Sequence, residues 1–227
     1  MINTTTFPHR GLPVKFAENS LEGFRYAVTH GAEGVEFDVH LTKDKVPVVM
    51  HDEEIDRTTD GTGFIKDYTI SELRKFHLAN GEPVPMLSEL FEVLQNRDIY
   101  INLEFKTNKV HDVGIEGIVL ALAKKYHFVH PIIFSSFNYQ TLKNCQRIDL
   151  HQQYCFLTKM PVALPERFVK KNHFAAIHPH FYLPSKVTQR IWTVDNPRIA
   201  KRYFKLGVAG IFTNNFELMN KVKEKSR

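Results

Sequence analysis

Eight short runs rich in β-branched and aromatic residues, most followed within a few positions by an amphipathic helical pattern, predict an α/β fold, a (β/α)8 TIM barrel, for this 227-residue chain. Strand and helix patterns alternate from end to end, which argues for a parallel sheet. The length lies slightly under the ~250 residues typical of the barrel. An open doubly wound sheet is the alternative architecture. Residues 1–227 read as one domain, because no Gly-, Ser- or Pro-rich linker and no repeat beyond the strand–helix unit interrupts them.

The elements follow in order. NTTTFP, before His9, supplies a short first strand. NSLEGFRYAVTHG (19–31) reads as a helix: Asn19 and Glu22 have capping-box spacing with Asn19 as N-cap, Leu21, Phe24 and Val28 form a stripe, and Gly31 can end it. EGVEFDVHL (33–41) is the second strand. VPVVMH (46–51) follows across a two-residue DK link, so it reads as a hairpin partner outside the barrel. The segment from about residue 43 to 83 is then a small insertion after the second barrel strand. Beyond it, helical patterns at 87–96, 112–126, 138–145, 164–172, 196–207 and 215–225 alternate with strands IYINLEFK (99–106), IIFSS (132–136), QQYCFL (152–157), FAAIHP (174–179), RIWTV (190–194) and AGIFTN (209–214). Each strand but the second is expected to lead quickly into a helix.

Composition narrows the function classes. Hydrophobic content of 43% and charged content of 24% are ordinary for a globular protein. The net charge of +5 suits a small anionic ligand, but 30 Lys and Arg are dispersed among 25 acids, and the one dense basic stretch, NKVKEKSR, reads as a solvated helix end. Without a recurring aromatic-basic motif, nucleic acid is not expected as a partner. Two cysteines are too few for a disulfide framework and fit a reducing compartment. The first ten residues lack the basic and apolar regions of a signal peptide, and no run approaches the ~20 apolar residues of a membrane span. A cytoplasmic protein without stable membrane insertion is expected.

The chemistry sits on the strands. Alternate strand side chains share a face, so Val35, Phe37 and Val39 turn toward the helices while Glu36 and Asp38 turn inward. In INLEFK, Leu103 and Phe105 face out and Asn102, Glu104 and Lys106 face in. Two neighbouring strands therefore bring three acids and a lysine to one inner surface, near the C-terminal end where barrel active sites form. A carboxylate set with no converging cysteine suits a hard divalent cation, Mg²⁺ or Ca²⁺ before Zn²⁺. A structural ion-pair network is the competing reading of the same residues. His9, beside Arg10 and Gly11, and His51, which ends the hairpin strand, are two proton carriers titrating in the neutral range at the same barrel mouth. Asp52 can orient an imidazole or cap the turn into RTTDGTG, a run read as a plain loop in preference to a phosphate cradle.

These residues, His9-Arg10-Gly11, AENS at 17–20, EFDVHLTKD, VPVVMHD, RTTDGTG, LEFK, and WTVD followed by GVAGIFTNN, resemble in the same order those of the glycerophosphodiester phosphodiesterases, over nearly the whole chain. The resemblance implies a (β/α)8 barrel that hydrolyses glycerophosphodiesters, such as glycerophosphocholine or glycerophosphoethanolamine, to glycerol 3-phosphate and an alcohol, with a divalent cation. It places catalytic histidines at His9 and His51, metal ligands at Glu36, Asp38 and Glu104, and phosphate contacts at Arg10 and Lys106. Ala17 and Ser20 stand where the family commonly has proline and threonine, and Ala209 and Asn214 stand where it often has acids.

Trp192, the only tryptophan, is expected to share a strand face with Val194 and to pack either in the core or against substrate carbons. His178 and His180 end the sixth barrel strand near the mouth. Glu116, Glu166 and Glu217 lie on helices and read as surface acids. Two rival functions remain: a phospholipase D-like hydrolase of lysophospholipids, which needs an apolar loop at the mouth, and a non-catalytic phosphate-binding barrel. The intact histidines and acids argue against the second.

Overall fold

β1 (Thr5–Pro8) opens the structure, a computed structural model that describes residues 4–226, so Asn3 of the expected first strand lies outside the described residues. α1 (Leu21–Thr29) leads to β2 (Gly34–Leu41), against which β3 (Pro47–Val49) folds back as an antiparallel hairpin. The turn between them holds three residues, not two. Leu41 pairs with Pro47, the Thr42 N–H donates to the Val46 carbonyl at 3.1 Å, and Lys45 takes φ +65°, the left-handed position that three-residue hairpin loops use.

The insertion then forms a short helix that the sequence reading did not anticipate, α2 (Ile70–Leu73), closed by a Thr69–Glu72 capping box. It has its own apolar cluster of Val48, Met50, Ile55, Ile65, Leu73, Leu78 and Val84. The chain continues through α3 (Leu87–Leu94), β4 (Tyr100–Phe105), α4 (Ile115–Ala123), β5 (Ile133–Ser136), α5 (Tyr139–Ile148), β6 (Gln153–Thr158) and α6 (Pro165–Asn172). β7 (Ala176–Pro179), β8 (Arg190–Ile191), α7 (Pro197–Leu206), β9 (Gly210–Thr213) and α8 (Phe216–Glu224) complete it.

Parallel pairing runs β2-β4-β5-β6-β7 in one sheet and β1-β9-β8 in the other. Single parallel bridges, His9 to Glu36 and Ile177 to Gln189, join the two sheets at both seams and complete the eight-stranded ring. Among the described residues no helix separates β7 from β8, contrary to the expected pattern. There the chain crosses as a loop held by the Gln189 side chain, which bonds both the N–H and the carbonyl of Leu183.

Outward-facing Val35, Phe37, Val39, Leu103 and Phe105 pack with Phe24, Leu87, Leu90, Phe91, Ile115 and Val119, as the strand alternation requires. Inside the ring, Phe7, Ile133, Cys155, Ala176 and Phe212 fill the barrel's interior, which is a packed core and not a pore. The Phe7 ring fits only because glycines face it: a Cβ at Gly34 would lie 2.5 Å from the ring, and one at Gly210 would lie 2.8 Å from it.

Three local expectations change. The N-cap of α1 is Ser20, whose hydroxyl accepts the Gly23 N–H at 3.1 Å, and not Asn19, which takes φ +58° one residue earlier. β8 ends at Ile191, so strict alternation stops there: Ile191 and Val194 both pack with α7 and α8, while Trp192 turns to the barrel interior. Glu116 is buried and accepts a hydrogen bond from Asn144 Nδ2 at 3.1 Å; it is not a surface acid.

The packing around Phe7 generates a test. Gly34→Ala should lower stability by about 1–3 kcal/mol, read as a shift of the denaturation midpoint, whereas Gly31→Ala, with open space around it, should lose only the cost of its positive φ. Equal stability of wild type and Gly34→Ala would contradict the packing described.

Candidate active site

The site grows from the register of two strands. In the parallel β2–β4 pair, Glu36 lies beside Asn102 and Asp38 beside Glu104. All three acids are buried, and one carboxylate oxygen from each lies within 4.8 Å of the others. At the end of β1, the His9 N–H donates to the Thr213 carbonyl at 2.8 Å, anchoring it to β9. The chain then turns through Arg10 at φ +54° and Gly11 at φ +87°, a conformation that favours glycine. This turn lets the Arg10 N–H reach Glu36 Oε2 at 3.1 Å and its Nε approach Asp38 Oδ2 at 3.4 Å. Lys106, just past β4, places Nζ 2.9 Å from Glu104 Oε1 and 3.7 Å from Asp38 Oδ1. Asn19, left free of capping, donates through Nδ2 to Asp38 Oδ2 at 3.3 Å.

The electrostatics follow from burial and neighbours. Burial, with Asp38 and Glu104 alongside, pushes the Glu36 carboxyl well above the usual carboxylate range. Burial also raises Glu104, to about 7, against the pull of Lys106. It opposes ionisation of Asp38 too, but Lys106 and Arg10 outweigh it and hold that carboxyl at about 2. Burial and the Arg10 guanidinium lower His9 to about 4, and burial lowers His51. Both shifts favour the neutral imidazole.

His51 arrives from the insertion. Its Nδ1–H donates to Asp52 Oδ1 at 2.6 Å, and its backbone carbonyl accepts a hydrogen bond from His40 Nε2 at 3.2 Å. Arg57 binds Asp52 and grips Glu18 with two bonds of 2.7 and 2.8 Å, and Glu18 in turn accepts from Arg10 at 3.2 Å. The histidine of the insertion is thus tied to the β1 turn. The RTTDGTG run is a plain loop whose amides are spent internally: Asp60 N–H on the His77 carbonyl, Gly61 N–H on Thr59 Oγ1, and Gly63 N–H on Asp56 Oδ2.

These groups converge on a cavity of about 110 Å³. His9, Arg10, Glu36, His51, Asn102, Glu104 and Lys106 form its polar wall, and Phe137, Leu157, Trp192 and Phe212 its apolar wall. Asp38 lies behind this lining. Trp192 is fixed by its Nε1–H on the His178 carbonyl at 2.7 Å and by Phe137, edge-on at 5.3 Å. A wider recess of about 440 Å³ shares His51, Lys106, Phe137 and Trp192 and opens toward Lys109 and Lys159. His178 is fully buried, and His180 packs behind Trp192 at 4.8 Å; neither lines the cavity.

Sequence reasoning did not identify Phe137, which no strand pattern marks, Asn214 as a contact of His9, or Asp195 behind it. Asn214 Oδ1 meets His9 Nδ1 at 2.8 Å, and Asp195 binds the Asn214 side chain. The position of Asn214, as a departure from the family's usual acid, was the available signal.

Comparison with known proteins agrees with this geometry. A sequence model of the glycerophosphoryl diester phosphodiesterase family matches residues 9–218. A glycerophosphodiester phosphodiesterase of Caldanaerobacter subterraneus is 34% identical, with 98% of this chain and 99% of that protein covered. The crystal structure of the glycerophosphodiester phosphodiesterase of Thermotoga maritima superposes with a TM-score of 0.80 at 30% identity, covering 96% and 98% of the two chains. An Oleispira antarctica phosphodiesterase, solved in complex with the product sn-glycerol-3-phosphate, shares the fold with a TM-score of 0.88 at 23% identity, covering 97% and 96%. No helix among the described residues is long and apolar enough to cross a membrane. With its barrel, its cavity and these relatives, the chain belongs to the glycerophosphoryl diester phosphodiesterase family and is an enzyme of that kind.

Proposed function

We propose that this enzyme cleaves glycerophosphodiesters such as glycerophosphocholine or glycerophosphoethanolamine to glycerol 3-phosphate and an alcohol, with His9 and His51 exchanging protons and Glu36, Asp38 and Glu104 holding a divalent cation. The observation that carries the reading is the convergence of two imidazoles, two carboxylates and two cations on one cavity with an apolar wall, with the third carboxylate, Asp38, directly behind them. The residues fit a cation. Among the described residues the Arg and Lys cations paired with the three buried acids are Arg10 and Lys106, so one negative charge is uncompensated when all three ionise. Asp38 Oδ1 is buried with no hydrogen-bond donor among the described residues. The all-oxygen donor set favours Mg²⁺ or Ca²⁺.

A bound cation would neutralise the phosphodiester and stabilise the charge that develops on it. Arg10 and Lys106, which border the cavity, would share that charge through hydrogen bonds to the phosphate oxygens. Each histidine has its Nδ1 engaged, by Asn214 or Asp52, so each presents Nε2 for proton transfer. One, with Nε2 bare, removes a proton from the nucleophile, while the other, entering as the imidazolium with a second proton on Nε2, protonates the leaving alkoxide. The nucleophile is the glycerol C2 hydroxyl, already held beside the phosphorus, which lowers the barrier through proximity. The resulting cyclic phosphate is then opened by water, with the histidine roles exchanged. Phe137 and Trp192 pack on the carbons of the substrate, and the wider recess receives the alcohol.

Three outcomes are expected. Chelation should abolish release of glycerol 3-phosphate from glycerophosphocholine, and Mg²⁺ or Ca²⁺ should restore it better than Zn²⁺. Glu36→Gln should raise the cation concentration needed, whereas Glu92→Gln, on the exposed face of α3, should not. Full activity in chelator would remove the cation from the reading.

His9→Ala and His51→Ala should each lose on the order of 10² to 10⁴ in kcat while staying folded by circular dichroism; His180→Ala should lose far less. Near wild-type turnover in either of the first two would break the two-histidine scheme. A substrate analogue carrying hydrogen in place of the glycerol C2 hydroxyl should bind but not turn over. Hydrolysis of that analogue at a normal rate would replace the cyclic route with direct attack by water.

A further inference from the structure

Behind His9 lies a short chain of hydrogen bonds whose direction is fixed by chemistry. Asp195, in the turn between β8 and α7, accepts three of them. Its Oδ1 takes the Asn214 backbone N–H at 2.7 Å and the Thr213 hydroxyl at 3.0 Å, and its Oδ2 takes Asn214 Nδ2 at 2.7 Å. A carboxylate only accepts, so the amide nitrogen of Asn214 must face it. The opposite rotamer would set the amide oxygen against the carboxylate with no proton between them. The Asn214 oxygen is therefore turned to His9 Nδ1, 2.8 Å away. An amide oxygen also only accepts, so the proton of the neutral imidazole sits on Nδ1. Nε2 is left bare on the cavity side, 4.0 Å from Glu36 Oε2.

We propose that Asp195 and Asn214 are positioning residues that hold His9 in its Nδ1–H tautomer, with Asp195 acting through the orientation of the Asn214 amide. The proposal deepens the function above, since its catalytic consequence rests on His9 as one of the proton carriers. It also separates the two histidines. His51 is oriented by a carboxylate in direct contact, Asp52 at 2.6 Å, whereas His9 is oriented by a neutral amide with the carboxylate one residue farther back. Asp195 touches neither the cavity nor His9. Asn214 is the residue through which its side chain bears on the His9 ring, while Thr213, which it also binds, holds the His9 backbone N–H.

An isosteric change reverses the chain. In Asp195→Asn the backbone N–H of Asn214 and the Thr213 hydroxyl remain donors, so the new amide must offer them its oxygen. Its nitrogen then faces the Asn214 side chain, which must rotate to accept, and the Asn214 nitrogen turns to His9. That nitrogen donates only, so Nδ1 must become the acceptor and the proton must move to Nε2. The exchanged pair Asp195→Asn with Asn214→Asp restores the original direction, because the carboxylate introduced at 214 accepts both from the amide at 195 and from His9 Nδ1.

The test uses the full chain labelled with ¹⁵N-histidine, without substrate, with the His9 ring signals identified by their loss in His9→Gln. Long-range ¹⁵N–¹H correlation should show a protonated Nδ1 and a bare Nε2 in wild type, the reverse in Asp195→Asn, and the wild-type pattern again in the exchanged pair. In parallel, kcat for glycerophosphocholine should fall on the order of 10² in Asp195→Asn, with KM within about twofold, and should recover in the exchanged pair. A wild-type His9 protonated on Nε2, or an Asp195→Asn ring that keeps its Nδ1 proton, overturns the proposal; the first measurement decides even where the single variant does not fold. A reversed tautomer with unchanged kcat would support the relay and count against His9 as a proton carrier.

Discussion

In the interior of the barrel, the register of β2 against β4 sets Asp38 beside Glu104 and buries both within reach of Glu36, and the need to compensate these charges organises the surrounding residues. A buried ionised carboxylate is costly unless it is paired and hydrogen-bonded. Two cations meet that need from opposite sides, Arg10 from the β1 turn and Lys106 from the end of β4. Two chain conformations follow from it. Arg10 and Asn19 both take positive φ at the ends of the β1–α1 loop, and both direct their side chains onto Asp38 Oδ2. The loop is bent around the carboxylate.

The insertion also reaches these charges. His51 lines the same cavity although no strand of the ring carries it; it follows an antiparallel hairpin strand and is steadied from three directions. Asp52 holds its ring, His40 holds its carbonyl, and Arg57 links Asp52 to Glu18 and so to Arg10. The network joins the two segments that supply the imidazoles. The apolar cluster around Ile55 and Leu73 gives the hairpin and its loop a footing of their own. Each exposed ion pair of this kind is worth little singly, but here Glu18 and Asp52 are bridged by one guanidinium, which fixes relative position more than it adds stability.

Opposite the acids, the barrel presents carbon. Phe137 and Trp192 meet edge to face above a floor of Phe212 and Leu157. This division suits a substrate whose phosphate is anionic and whose two ends are largely carbon and hydroxyl. It also keeps the polar groups poorly solvated, which strengthens their interactions.

The sequence by itself determined whatever depends on neighbours along the chain. Strand alternation separated Glu36 and Asp38 from Val35, Phe37 and Val39, and Glu104 and Lys106 from Leu103 and Phe105, because a period of two is a local property of extended backbone. The fold class was legible for the same reason, since strand and helix periods alternate regardless of how the ring closes. Only the tertiary structure decided what depends on partners far away in sequence. Asn19 has the right spacing to cap α1, yet Asp38 draws its side chain inward and Ser20 caps instead. Trp192 escapes the alternation because β8 stops at Ile191. Glu116 reads as a surface acid until α5 brings Asn144 against it. Asn214 lies 205 positions from His9, and its amide is aimed by Asp195 across the β8–β9 edge. Local patterns record which face a residue takes. Hydrogen-bond direction is settled only when the ring closes and donors and acceptors from distant segments must match.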